Sequence, residues 1–539
     1  GDEAGTALTT GDNNVAVGFE ALKTEDAHGN NVAVGYQALK TLDVGADGFN
    51  TAVGYLSGTA MTTGQNNSLL GAQSGDAFTD ADGNTALGAY TLTNDTRGSQ
   101  STAVGSQALQ NQNFTTATNA YNTAVGALAG NAVTTGVQNT LIGGLAGTAI
   151  TTGIENVLVG YAAGDALTDA DFNVAVGRAA LSSDTKGSKS TAIGQGALNV
   201  QNFTTATDTF NTAVGFFAGL SVTTGINNTL IGAAAGDALT DADFNVALGT
   251  HALTADTAGS KSTALGYFSL GNQNFTTATD SFNTAVGYHA GLAVTTGIKN
   301  VIVGGQAADA LTTGSYNVAI GDFALSTDDV GSRSVAVGAN ALFAQNYATA
   351  TDGYNVAVGM NAGLSVTTGT NNTLIGGLAG DALTDADFNV AVGYNALTSD
   401  TLGSTSVAIG NGALTTQNFT TATNTFNVAI GANAGFSVTT GVENSIIGAL
   451  AGDALTIGYQ NVVNGFQALS AETTGSRNVA IGINALNVSN MGGGTSVTSY
   501  NVAVGALAGG AVTTGIQNTL IGGLAGDALL AAADNVAVG

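Results

Sequence analysis

Three histidines and no cysteine bound the chemistry open to this chain. His28, His251 and His289 are scattered, and a nucleophile needs a base and an orienting partner gathered in one cleft. The expectation is a protein that is not an enzyme and needs no cofactor. Two other patterns suit binding. The first is acidic: Asp165, Asp169 and Asp171 ahead of Asn173 return as Asp237, Asp241 and Asp243 ahead of Asn245, and as Asp381, Asp385 and Asp387 ahead of Asn389. Asp-x-Asp-x-Asn is the opening spacing of calcium loops, because alternate side chains in a tight turn can converge on one hard cation. Ca2+ is therefore a candidate ligand. The glycine and distal glutamate of an EF-hand are missing, and an Asx-type turn on a solvated corner accounts for the same residues. The second pattern is aromatic: Asn113-Phe114-Thr115 returns around Phe203, Phe275, Tyr347 and Phe419. A ring between amides and hydroxyls suits a sugar, so these are candidate receptor loops. The same rings would also serve as plugs folded over an apolar interior. Paired threonines such as Thr134-Thr135-Gly136 sit at turns and miss many repeats, so they do not form the flat array of an ice-binding face.

What must position these residues is a repeat. Asn-Val-Ala-Val-Gly spans Asn14 to Gly18 and returns at Asn31 to Gly35, Asn173 to Gly177 and Asn355 to Gly359, with variants in between. From Gly1 to Gly539 the closing glycines mark 30 units: 23 of 17 residues, five of 21, one of 19 and one of 23. A fixed short period is the signature of a solenoid. Three alternating apolar residues between Asn and Gly read as a very short strand between turns. Seventeen residues suit two such strands and two turns, one coil of a parallel β-solenoid. The 79 glycines would interrupt any helical pattern. The residue before the glycine is almost always Val, Ile or Leu, so it is expected to face a packed interior. The central Ala is then expected to face a close neighbour on the other side. A strand apolar on both faces is buried on both, and the second layer is inferred to be another copy of the chain. The Asn can cap its turn and stack into a ladder; Ser replaces it at Ser101, Ser190, Ser262, Ser334 and Ser406.

A longer period lies above the first. Super-repeats of about 72 residues run over 54–126, 126–215 (with one extra coil), 215–287, 287–359, 359–431 and 431–505. Each ends in a long coil whose extra residues are expected to bulge outward. The 1–539 stretch reads as a single repetitive domain. Thirty coils at the strand spacing of ~4.8 Å would extend on the order of 140 Å. Both ends fall in register, and the expectation is a segment of a longer fibre. The net charge of −27, with ten Lys and Arg, makes nucleic acid and anionic membrane surfaces poor partners. No apolar run approaches the ~20 residues of a membrane-spanning helix.

The Asn-x-Ala-Val-Gly motif followed by Ala-Leu, as in Tyr36-Gln-Ala38-Leu39, resembles the YadA-type head repeats of trimeric autotransporter adhesins. With its Thr-Thr-Gly turns and 17-residue coils, longer than the adhesin head's, it is similar also to bacteriophage tail-fibre proteins. The resemblance implies a left-handed β-roll and a homotrimer with the Val-Ala-Val strands around its axis. It implies an extracellular setting, on a virion tail or a bacterial surface, and a cell-surface glycan or protein receptor. The expected function is the structural shaft or head of an attachment fibre that rigidly presents receptor-binding elements. The alternatives are a self-assembling matrix or sheath filament, and a lateral glycan- or cation-binding module.

Overall fold

The computed structural model describes all 539 residues. The chain forms two compact units, Gly1–Ser262 with Asn274–Asp280, and Thr263–Gln273 with Ser281–Gly539. Both are all-β parallel solenoids without a helix. In the first unit, three-residue strands run from Val15–Val17 to Val246–Leu248. In the second they run from Thr263–Leu265 to Val536–Val538. Neighbouring strands pair in parallel at equal motif positions: Val157 against Val174, Leu158 against Ala175, Val159 against Val176. Each motif position therefore becomes a row along the stack.

A typical 17-residue coil carries one such strand, not the two expected. A second strand of two residues appears only beside the long coils, as in Gly187–Ser188 with Thr207–Asp208. Elsewhere the chain after the glycine makes two tight turns, with positive φ at residues such as Gln37 (55°) and Leu39 (49°). Their N–H groups donate to neighbouring coils, Gln37 to the Phe19 carbonyl and Leu39 to the Ser57 carbonyl. The stack holds a conformation that an isolated L-residue visits at a cost of about 1–2 kcal/mol.

The facing of the strand is the reverse of the expectation. The central residue points inward, and Ala52, Ala124 and Leu141 are fully buried. The flanking residues point outward, with Val17 54% and Ile142 38% exposed. The interior has other claimants: the third, fourth and seventh residues after the glycine also enter it. Where the seventh is apolar, as in Phe78, Val133 and Leu167, the fourth is usually glycine, as at Gly75, Gly130 and Gly164; Ala308 before Leu311 and Leu39 before Leu42 depart from this. Where the seventh is polar, as in Asp95 and Gln112, the fourth is Leu92 or Leu109. A Cβ at Gly130 would stand 2.6 Å from Leu141 Cδ1 and 3.3 Å from Val133 Cγ2, so the fourth position stays empty where these neighbours already fill the interior; the 19-residue coil, with Leu39 and Leu42 both fully buried, holds two.

The asparagine ladder forms as expected. Asn67 Nδ2 donates to Asn50 Oδ1 (3.1 Å) and to the Ala81 carbonyl (2.7 Å), and its N–H donates to Asn50 Oδ1 (3.0 Å). The motif glycine has a steric reason. At Gly143, φ is 134° and a Cβ would strike the carbonyl of Gly160.

Candidate functional site

The most extensive feature offered to a partner is the outward side of the motif strand. In the first unit its third position reads Val17, Val34, Val53, Leu70, Leu87 and Val104. In the second it reads Val286, Val303, Ile320, Val337, Val358 and Ile375 before Asn464 breaks the row. Soluble monomers rarely leave contiguous apolar patches above a few hundred Å² in water.

Two further rows flank this one. The residue before the buried Asn has positive φ and an exposed side chain; in the second unit it is aromatic at Phe282, Tyr316, Tyr354, Phe388 and Phe426, every second coil. Cations stand in the first two gaps between the rings, Asn371 and Thr405 in the next two. Lys299 Nζ lies 5.0 Å from the Tyr316 ring centroid and donates to its Oη at 3.1 Å. Arg333 lies 5.5 Å from Tyr316 and 5.7 Å from Tyr354, and its Nε pairs with Asp352 at 3.2 Å. The first unit repeats the arrangement with Lys189 5.3 Å from Phe210. On the other flank stands the residue after the glycine, where the exposed Phe19, Tyr36 and Tyr55 stack at 5.4 and 5.3 Å. Sequence reasoning passed over these rows. Their signal was the dipeptide Phe-Asn or Tyr-Asn at alternate motifs.

The candidate receptor-loop rings lie inside. Phe114, Phe203, Phe275, Tyr347 and Phe419 are 4–8% exposed. The loop itself does bulge, exposing Thr115, Thr116 and Ala117. Tyr347 carries the one hydroxyl among the five, donating to the Gly369 carbonyl at 2.9 Å and accepting from Asn355 Nδ2 at 3.1 Å. Burial raises its pKa.

The acidic clusters divide among three tasks. Asp171, Asp243 and Asp387 accept the N–H of the preceding coil, from Ile154, Ile226 and Thr370 at 2.7–2.9 Å. Asp169, Asp241 and Asp385 are exposed and accept threonine hydroxyls, and Lys186 approaches Asp169 to 3.7 Å. Asp237 and Asp381 accept from Thr254 and Thr398 on the next coil. Asp165 has no threonine there, its Oδ1 is buried without a partner, and burial raises its pKa. The three carboxylates of each cluster thus serve different neighbours. Three ligand-type side chains do approach within 4.8 Å of one another at Glu25, Asp26 and His28. The paired threonines bond along the stack as well, Thr134 Oγ1 to the Thr151 carbonyl and Thr151 Oγ1 to that of Thr168.

The serine breaks in the ladder have a cause. Ser190 is followed by a long coil whose Gln201 enters the interior, accepting from Asn211 Nδ2 (2.8 Å) and donating to Ser190 Oγ (2.9 Å) and Asp184 Oδ2 (2.6 Å). Asp184 Oδ1 also accepts from Gly187 and Phe203 N–H, both at 3.0 Å. An asparagine at 190 would compete with the glutamine for that space. The set recurs at Asp95, Gln112 and Ser101 and at Asp328, Gln345 and Ser334. The sixth super-repeat substitutes Glu472, Ser489 and Asn478, where the longer acid reaches the shorter hydroxyl at 2.9 Å. Burial raises the pKa of Asp95 and Asp328 against the pull of these donors.

No helix is long and apolar enough to cross a membrane. Set beside family models, curated proteins and solved structures, the chain matches none of them.

Proposed function

We propose that this chain is the structural part of an extracellular attachment fibre, in which three copies pack through the outward rows of their motif strands. The observation that carries the reading is the aliphatic third position, partly exposed coil after coil, unbroken from Val17 to Leu248 in the first unit and from Leu265 to Ile447 in the second. Its length matters: an isolated exposed Val needs no explanation, whereas an uninterrupted row of them marks an interaction surface. Self-association covers that row and gives each strand the second apolar layer its composition calls for. The rest of the coil serves stiffness. Ladder bonds from Asn, Thr and backbone tie each coil to its neighbours, and closed coils leave no long strand edge at the side. Such a body suits a spacer that holds receptor-binding elements away from a virion or cell. The test is retention of this chain on a glycan array and on whole-cell surfaces. The structural reading expects background retention; saturable binding would instead favour the lateral binding module.

A further inference from the structure

We infer that the two rows flanking the motif strand meet across the boundary between two copies of this chain, one coil out of step. From Phe282 to Tyr354, rings on one copy then seat over glycine or alanine on the next, and the following ring, Phe388, meets Asn411. The inference rests on the self-association proposed above.

In the second unit the row before the asparagine reads Phe282, Lys299, Tyr316, Arg333, Tyr354, Asn371. The row after the glycine, taken one coil further along, reads Gly305, Asp322, Ala339, Met360, Gly377, Tyr394. Each ring of the first row faces a small residue of the second, the small Asn371 faces a ring, and Lys299 faces Asp322. Both rows are held in register by the backbone. Lys299 N–H donates to the Ser281 carbonyl and Tyr316 N–H to that of Ile298; Phe323 N–H donates to the Gly305 carbonyl and Asn340 N–H to that of Asp322. The complementarity has no use within one chain. Six residues at strand rise separate the rows on a coil, roughly 15–20 Å.

Exposure and charge point the same way. Tyr316 and Tyr354 are 47% exposed and Met360 60%, and each half-exposed ring leaves roughly 100 Å² open. Lys299 makes no ion pair in its own chain and bonds only to Tyr316, and the Asp322 carboxylate has no ion pair or hydrogen bond. The opposite stagger would also seat Tyr316 on Gly305 and Tyr354 on Ala339, but it would set Asp322 against Arg333, which already holds Asp352, and leave Lys299 against Tyr288 with no acid; the charges separate the two staggers. Level rows would set Phe282 on Tyr288 and leave empty space between Asn371 and Gly377. Packing at interface cores matches protein interiors, so the one-coil stagger is selected.

The test uses the absence of native cysteine. Lys299→Cys with Asp322→Cys is oxidised and run on a denaturing, non-reducing gel. Lys299→Cys with Gly305→Cys, on one coil, is the control. Both sites are on the surface, and a disulfide spans Cα atoms only up to about 7 Å, so bonds between chains report the stagger. The expected result is covalently linked chains for the first pair and none for the control. Linking in the control alone would overturn the stagger. So would no linking in protein whose scattering mass exceeds one chain, and in both cases self-association stands. A single-chain mass for the unmodified protein would overturn both together. A charge exchange gives a second readout: Lys299→Glu should weaken association, and adding Asp322→Lys should restore it.

Discussion

Replacing one ladder asparagine shows how much a single side chain holds. Asn139 accepts the Asn156 N–H (3.0 Å) and donates to the Gly153 carbonyl (2.9 Å), both buried. Asn139→Ala orphans both groups at about 1–3 kcal/mol each, so a loss of roughly 2–6 kcal/mol is expected in the adjoining coils. Because a stack opens locally, the measurement is amide hydrogen exchange of those coils. A second residue-scale prediction concerns pH. Burial raises Asp95 and Asp328 above the usual carboxylate range, so the folded chain binds more protons than the unfolded one between the ordinary and the raised value. Stability then falls as pH rises through that interval. Protection of the Gly98 and Gly331 amides, corrected for intrinsic exchange, should increase on acidification from neutrality. Protection that falls over the same range would contradict the account. The ladder was readable because Asn recurs beside a fixed glycine. The strand's facing was not, because Val and Ala are both apolar and a period of two says that they part, not which goes inside. The deciding clue lay elsewhere in the coil, where glycine usually accompanies an apolar seventh residue and leucine accompanies Asp or Gln.

At the scale of the coil, length and filling are coupled. The long coil needs Gln in the interior, Gln needs Ser in place of the ladder Asn, and the preceding coil supplies Asp. The sixth super-repeat solves the same problem with Glu472, Ser489 and Asn478. Asp328→Glu alone should be destabilising, because overpacking a filled interior costs about 1–3 kcal/mol. Adding Gln345→Ser and Ser334→Asn should recover part of that loss, read as hydrogen exchange in the same two coils. Equal loss in the single and triple variants would mean the three positions act independently. Coils as units make a second prediction. Deleting residues 144–160 removes one whole coil in register and should preserve the β signal and protease resistance, whereas deleting half of that span should abolish both locally. The period, the inserted coil and the outward bulge of the long coil were legible from spacing. The two-strand coil was not borne out, since the residues after the motif glycine form successive positive-φ turns that no three-residue pattern announces. The loop rings were legible only as alternatives, because a ring between amides and hydroxyls suits a sugar site and an interior plug alike.

At the scale of the whole molecule, one surface governs the functional reading. The acidic chain, net charge −27, carries an aliphatic row outward through each unit, with rings and cations beside it. Like charges oppose assembly at long range and are screened by salt, whereas burial of the row favours it at ~25 cal/mol per Å². Association should therefore strengthen as ionic strength rises, and sedimentation across a salt series checks the sign. The row was foreshadowed in the sequence as the need of a doubly apolar strand for a second layer, although the side assigned to that layer was the wrong one. The measurement that bears most directly on the account is the mass of the unmodified protein in solution by light scattering. The mass of three chains is expected, falling toward one when outward residues such as Ile320 and Val337 are changed to Asp. A stable single chain with its aliphatic rows in water would contradict it.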